Sequence, residues 1–279
     1  MPHAFNEHVE IYYRTFGDEN SETILLINGL GAQLIRIPES FCLGLVARGY
    51  RVIQFDNRDI GLSSWPSEPY SLVDMAEDAV AVLDAAGATR AHVVGASMGG
   101  MIAQRLALNH PDRVRSLTSI MSSTGAPEAT KSTPEAAAVL RSPAPDPQQD
   151  FEGFVSHGVN NMRIVGSPAY PWTPTEARRR VVDEYERAYN PAGGSRQLAA
   201  AMGDGDRTEA LAGLKIPVVV VHGADDPLMM RVGGEATAAA IPGAELRIIP
   251  GMGHDLPTAL HEVFIEAITA AAGRASRGA

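Results

Sequence analysis

Cysteine is almost absent from this chain. The single one, Cys42, excludes an internal disulfide framework and a multi-cysteine metal site, and it fits a reducing compartment. Basic charge is scarce as well: 23 Lys and Arg against 33 Asp and Glu give a formal net charge of −10. Such a balance repels polyphosphate backbones, so nucleic acid is not an expected partner unless basic residues cluster on one face. Arg178-Arg179-Arg180 is the only such run, and Glu176, Asp183, Glu184 and Glu186 around it predict a solvated, ion-paired helix face. No apolar stretch approaches the roughly 20 residues that span a bilayer. The first six residues, Met1–Asn6, lack the basic segment and apolar run of a secretory signal. The expectation is a soluble cytoplasmic protein with no membrane partner.

What the chain does contain is ordinary globular material, 45% apolar and 20% charged over 279 residues, enough to bury a substantial core. Its first third alternates short β-rich runs with helical patterns, which is how a parallel sheet with crossover helices is written. A hairpin is predicted from His8 to Phe16, then strands at Thr23–Asn28 and Arg51–Asp56. Leu72–Ala86 reads as a helix, with Leu72, Met75, Ala76, Ala79, Val80, Val82 and Leu83 on one side and Asp74, Glu77, Asp78 and Asp84 mostly off it. Strand Ala91–Ala96, helix Met98–His110 and strand Val114–Met121 continue the series.

From Ser122 to about Gly213 the pattern becomes helical pieces broken by proline, with no strand candidate. Thr173-Pro174-Thr175-Glu176 is a capping box with Pro at the first helical position, predicting a helix from Pro174 to about Tyr189. Alternation resumes with strand Ile216–His222, helix Val232–Ala240, strand Glu245–Ile249 and a helix from Pro257 to Ala272. The reading is an α/β core domain of residues 1–121 and 214–279, with a helical cap, 122–213, inserted after the sixth strand.

Gly95-Ala96-Ser97-Met98-Gly99 closes a predicted strand and opens a predicted helix. In so sharp a turn the serine is strained, its Oγ is exposed at the tip of the sheet, and the helix N-terminus aims free N–H groups at developing negative charge. Ser97 is therefore the candidate nucleophile. A serine hydroxyl needs a base within hydrogen-bond reach and a group that fixes the base's tautomer. Most of the eight histidines sit at strand starts, helix ends or helix faces, where surface or capping roles prevail: His3, His8, His92, His110, His157 and His261. His254 lies instead in the glycine-rich Gly251-Met252-Gly253-His254, between the last strand and the last helix.

These motifs together resemble the α/β-hydrolase superfamily over nearly the whole chain. Asn28-Gly29-Leu30-Gly31 is similar to its His-Gly-x-Gly oxyanion loop, with Asn for His. Asp56-Asn57-Arg58-Asp59-Ile60-Gly61-Leu62-Ser63 is similar to its Asp-x-Arg-Gly-x-Gly-x-Ser turn, with Asp59 for one glycine. The resemblance implies an α/β-hydrolase fold with a mostly parallel central sheet. It also implies His254 as general base, a structural His222, and backbone N–H groups of Leu30 and Met98 as the oxyanion hole. His222-Gly223-Ala224-Asp225-Asp226 resembles the family's His-Gly-x-x-Asp and implies Asp226 as the orienting acid, with Asp225 its rival one residue away. Asp255 is read as solvent-facing or as the cap of the last helix.

A serine nucleophile argues against the epoxide hydrolases and haloalkane dehalogenases of the same fold, which use aspartate. Carboxylic ester hydrolysis is the expected reaction, with a small-molecule ester as partner and no cofactor or metal. C–C hydrolase, perhydrolase or acyltransferase chemistry, or a receptor-like protein with little turnover, are the alternatives. The Asp-Asn-Arg-Asp-x-Gly turn and the Gly-Met-Gly-His ending also resemble those of aclacinomycin methylesterase and its relatives, which demethylate polyketide esters. Gly29, Met229 and Trp172, with Leu30, Met98, Met162 and Met230, are the expected pocket residues. A monomer or a homodimer is compatible with the sequence.

Overall fold

The computed structural model describes residues 2–277. In chain order it contains β1 (His3–Asn6), β2 (Val9–Phe16), β3 (Thr23–Ile27), α1 (Glu39–Val46), β4 (Arg51–Phe55), α2 (Leu72–Ala85), β5 (Ala91–Ala96), α3 (Met98–Asn109) and β6 (Val114–Ile120). Then come α4 (Pro134–Val139), α5 (Phe151–Val165), α6 (Pro174–Arg187), α7 (Gly193–Gly203) and α8 (Thr208–Leu211), with no strand among them. The chain ends with β7 (Val218–Gly223), α9 (Val232–Ala240), β8 (Glu245–Ile249) and α10 (His261–Arg277).

The strands form one sheet in the order β1-β2-β4-β3-β5-β6-β7-β8. Strand β2 pairs antiparallel with β1 and β4, and every pair from β4 to β8 is parallel. The inner strands β3, β4, β5 and β7 are buried at every residue because both faces are covered. Their alternation sends Leu25 and Ile27 to a core shared with α2 and α3, and Ile24 and Leu26 to a second core shared with α1 and α10. Each fully buried Leu or Ile contributes about 1.5–3 kcal/mol of transfer free energy, so these two apolar layers dominate the drive to fold.

Several expectations shift. Val9–Phe16 is one continuous strand, and its hairpin partner is the earlier His3–Asn6. Helix α1 was not expected. The last helix begins at His261, after a short 3-10 turn at Thr258–Leu260. Strand β7 starts at Val218, two residues later than read, because Pro217 has no amide hydrogen for the ladder. His92 is buried against the Ser116 hydroxyl at 2.9 Å rather than on the surface. Asp78 is also buried, where the Arg58 guanidinium grips both its oxygens at 2.6 and 2.7 Å. No helix among the described residues is long and apolar enough to cross a membrane.

Candidate active site

Three strand ends converge at one edge of the sheet. Ser97 sits between β5 and α3 with φ 55° and ψ −122°, a region that non-glycine residues rarely occupy and that costs about 1–3 kcal/mol. The surroundings hold it there: its amide donates to the Ile120 carbonyl at 2.9 Å. The flanking glycines are required by space, since a Cβ on Gly95 would overlap the Gly99 carbonyl and one on Gly99 would overlap the Ile27 carbonyl.

Beyond β8, His254 points its Nε2 at Ser97 Oγ, 2.9 Å away. Its Nδ1 lies 2.7 Å from Asp226 Oδ2, beyond the end of β7. The other Asp226 oxygen accepts the Leu228 and Met229 amides at 2.9 and 2.8 Å, so this fully buried carboxylate is fixed in direction. The rival Asp225 turns elsewhere and accepts the Gly251 amide at 2.8 Å, bracing the histidine loop from below. His222 is buried with Nε2 2.6 Å from the Met229 carbonyl; burial holds it below the ordinary histidine pKa.

The Leu30 and Met98 amides donate to no acceptor among the described residues. Gly29 lies beside the serine, where a Cβ would meet Ser97 Cβ at 3.0 Å. The next amide, Gly31, donates to Gln197 Oε1 of α7 at 2.8 Å, and Gln197 Nε2 donates to the Arg58 carbonyl at 2.9 Å. Gln197 had no signal in the sequence beyond being a polar residue in a helix that also carries Ser195 and Arg196.

A cavity of about 1110 Å³ opens on Ser97 and His254. Gly29, Leu30, Met98, Met162, Trp172 and Met229 all line it. Met230 does not; it is 40% exposed. Phe154, Tyr185 and Tyr189 add an aromatic wall, with neighbouring rings 5.4 Å apart. Two further readings are corrected. Asp255 is not solvent-facing: its carboxylate accepts from Trp172 Nε1 at 2.7 Å and from the Ser167 hydroxyl, and burial raises its pKa. The arginine run is a solvated face only in part. Arg178 pairs with Glu152 in the open, whereas Arg180 turns inward, its guanidinium 4.8 Å over the Trp172 ring.

The segment between β6 and β7 holds the histidine loop directly. The His254 amide donates to the Val165 carbonyl at 2.7 Å, and the Gly253 amide to Ser167 Oγ at 2.9 Å.

A family model described as the alpha/beta hydrolase fold matches residues 22–257. The chain belongs to the α/β-hydrolase fold family. Among curated proteins it is similar to the rhodomycin D methylesterases DnrP of Streptomyces peucetius and DauP of Streptomyces sp. strain C5. Each is 31% identical over 95% of both chains. A putative carbamate hydrolase, RutD of Variovorax paradoxus, is 29% identical over 88% of this chain and 89% of its own. Among solved structures, a hydrolase from Pseudomonas aeruginosa PA01 superposes with a TM-score of 0.76 at 29% identity, covering 97% of each chain. These α/β-hydrolase relatives are hydrolases, two of them esterases by name.

Proposed function

We propose that this α/β-hydrolase is a carboxylic ester hydrolase working through an acyl-enzyme on Ser97. The observation that carries the reading is the relay from Asp226 Oδ2 to His254 Nδ1 at 2.7 Å and from His254 Nε2 to Ser97 Oγ at 2.9 Å. A neutral imidazole accepts the hydroxyl proton as Oγ attacks the ester carbonyl, and Asp226 holds Nδ1–H and stabilises the imidazolium that forms. The carbonyl oxygen becomes an oxyanion facing the Leu30 and Met98 amides. Donors already aimed at that position each contribute on the order of 10²–10³ in rate. Collapse breaks the ester C–O bond, and the imidazolium protonates the departing alcohol. Water then attacks the acyl carbon as His254 again takes the proton; collapse breaks the bond to Ser97 Oγ, the imidazolium returns its proton to Oγ, and the acid leaves.

Residues 122–213 act as a cap over a core of residues 1–121 and 214–279, closing the cavity and selecting substrate. A volume of about 1110 Å³ lies just above the usual ~300–1,000 Å³ for small-molecule sites. Together with the aromatic wall and the names of the Streptomyces relatives, it supports the methyl ester of a large, ring-bearing acid. Turnover of p-nitrophenyl acetate and butyrate, followed by a panel of methyl esters, tests the activity. Saturable turnover lost in Ser97→Ala is expected, and turnover unchanged in that variant contradicts the reading.

A further inference from the structure

Arginines crowd the seam between cap and core, and nearly all of them hold a carboxylate. Arg36 pairs with Glu184, Arg187 with Asp56 and Arg196 with Asp59. Arg180 is different. It lines the cavity, yet no carboxylate among the described residues lies within ion-pair distance of it. Of its five N–H donors, one Nη2 hydrogen goes to the Arg36 carbonyl at 2.8 Å. Its Nε is sealed without a partner, and Nη1 donates to nothing among the described residues. Two carboxylates act on it electrostatically, but both are engaged: Glu184 by Arg36 at 2.6 Å, and Asp255 by Trp172 and Ser167. Burial and the neighbouring Arg36 charge pull its pKa down to about 9, which expresses how poorly this cation is satisfied.

We propose that Arg180 is a substrate-recognition residue, and that the preferred ester carries a second, ionised carboxylate that binds the free edge of its guanidinium. This rests on the ester-hydrolase reading above. A buried cation with unfilled donors is unfavourable in the free protein, and a ligand that completes it recovers that free energy. The planar fork matches a carboxylate in shape and charge. Stacking on Trp172 and the bond to the Arg36 carbonyl already fix its plane, so little side-chain freedom is lost on binding. Trp172 in turn bonds to Asp255, the residue after His254, so the recognition point and the Ser97–His254 pair belong to one cavity.

The test compares matched esters: mono-p-nitrophenyl esters of the diacids from adipic to sebacic, each against its neutral methyl p-nitrophenyl diester. The wild-type enzyme is expected to prefer the carboxylate-bearing member at one or more chain lengths. In Arg180→Gln its kcat/KM is expected to fall about tenfold to hundredfold, mainly through KM, as for loss of a charge-assisted hydrogen bond. The neutral diester is expected to change less than threefold, and Arg180→Lys to lie between. Equal losses for both esters would mean that Arg180 is only a staple between helix α6 and Trp172, and would overturn the proposal. So would a wild type indifferent to the carboxylate at every length. Should neither ester be turned over, it is the ester-hydrolase reading that fails. Calorimetric titration with octanoate and octanamide then judges Arg180 alone: tighter octanoate binding, lost in Arg180→Gln, supports it, and equal affinities in the wild type refute it.

Discussion

Gln197 Oε1 accepts the Gly31 amide at 2.8 Å, joining helix α7 to the glycine loop beside Ser97 across 166 residues of sequence. The adjacent Leu30 amide is thereby held in direction by a residue of the segment between β6 and β7. Truncation in Gln197→Ala leaves a part-buried amide without its acceptor, a loss of about 1 kcal/mol. The expected kinetic signature is a kcat lower by about tenfold or more with KM little changed, because an oxyanion donor matters most in the transition state. Gln197→Glu retains the acceptor and is expected to recover part of kcat. Reduced stability with kcat intact would show that the loop is positioned without this contact.

The two adjacent aspartates give a sharper contrast. Asp226→Asn removes the charge beside the imidazolium and favours the wrong tautomer, so kcat is expected to fall by about 10³–10⁴. Asp225→Asn weakens only the brace on Gly251 and is expected to stay within about tenfold of wild type. Steady-state kinetics on one p-nitrophenyl ester decides between them, and the reverse ranking would reassign the acid.

Arg187 and Asp56 form an ion pair at 2.7 Å between α6 and the turn after β4, with the carboxylate fully buried. Removing the cation in Arg187→Met leaves that charge with only the Leu34 and Leu62 amides. Destabilisation of about 3 kcal/mol is expected by urea denaturation. Adding Asp56→Asn is expected to restore part of it, whereas additive losses would show that the pair is not coupled.

Stability should also depend on pH through histidines that the mechanism does not use as a base. Burial is the largest cause holding His92, His222 and His261 each below the ordinary value. Below about pH 6.5 the unfolded chain takes up protons that the folded chain refuses, so stability present at pH 7.5 is lost as pH falls through that region. Asp78 and Asp255, held above the usual carboxylate range by burial, act in the opposite sense at lower pH. The urea midpoint is therefore expected to fall between pH 7.5 and 5.5, and a flat or rising midpoint would contradict this account.

The inner strands β3, β5 and β7 were legible because they are mostly apolar and buried on both faces, a local signal that survives without knowledge of neighbours. The turn at Ser97 was legible for a similar reason, since strand, glycine, serine, glycine and helix all lie within a short window. What escaped was set by distant partners. Asp255 looked like a cap because nothing nearby reveals that Trp172, 83 residues earlier, donates to it. Arg180 was read with its charged neighbours as solvated, although helix periodicity alone does not say which side of a helix packs against the rest of the chain. Helix α1 has only eight residues, one of them Gly44, too short for a periodic signal, and β1 is a four-residue strand defined only by its pairing with β2.

The central claim is that Ser97 is made nucleophilic by His254. The most direct measurement is the rate and site of labelling by a fluorophosphonate, read by intact-protein and peptide mass spectrometry. One adduct per chain, on the peptide containing Ser97, is predicted, absent in Ser97→Ala and at least about a hundredfold slower in His254→Ala. An adduct elsewhere, or labelling of Ser97 at the same rate without the imidazole, would contradict it.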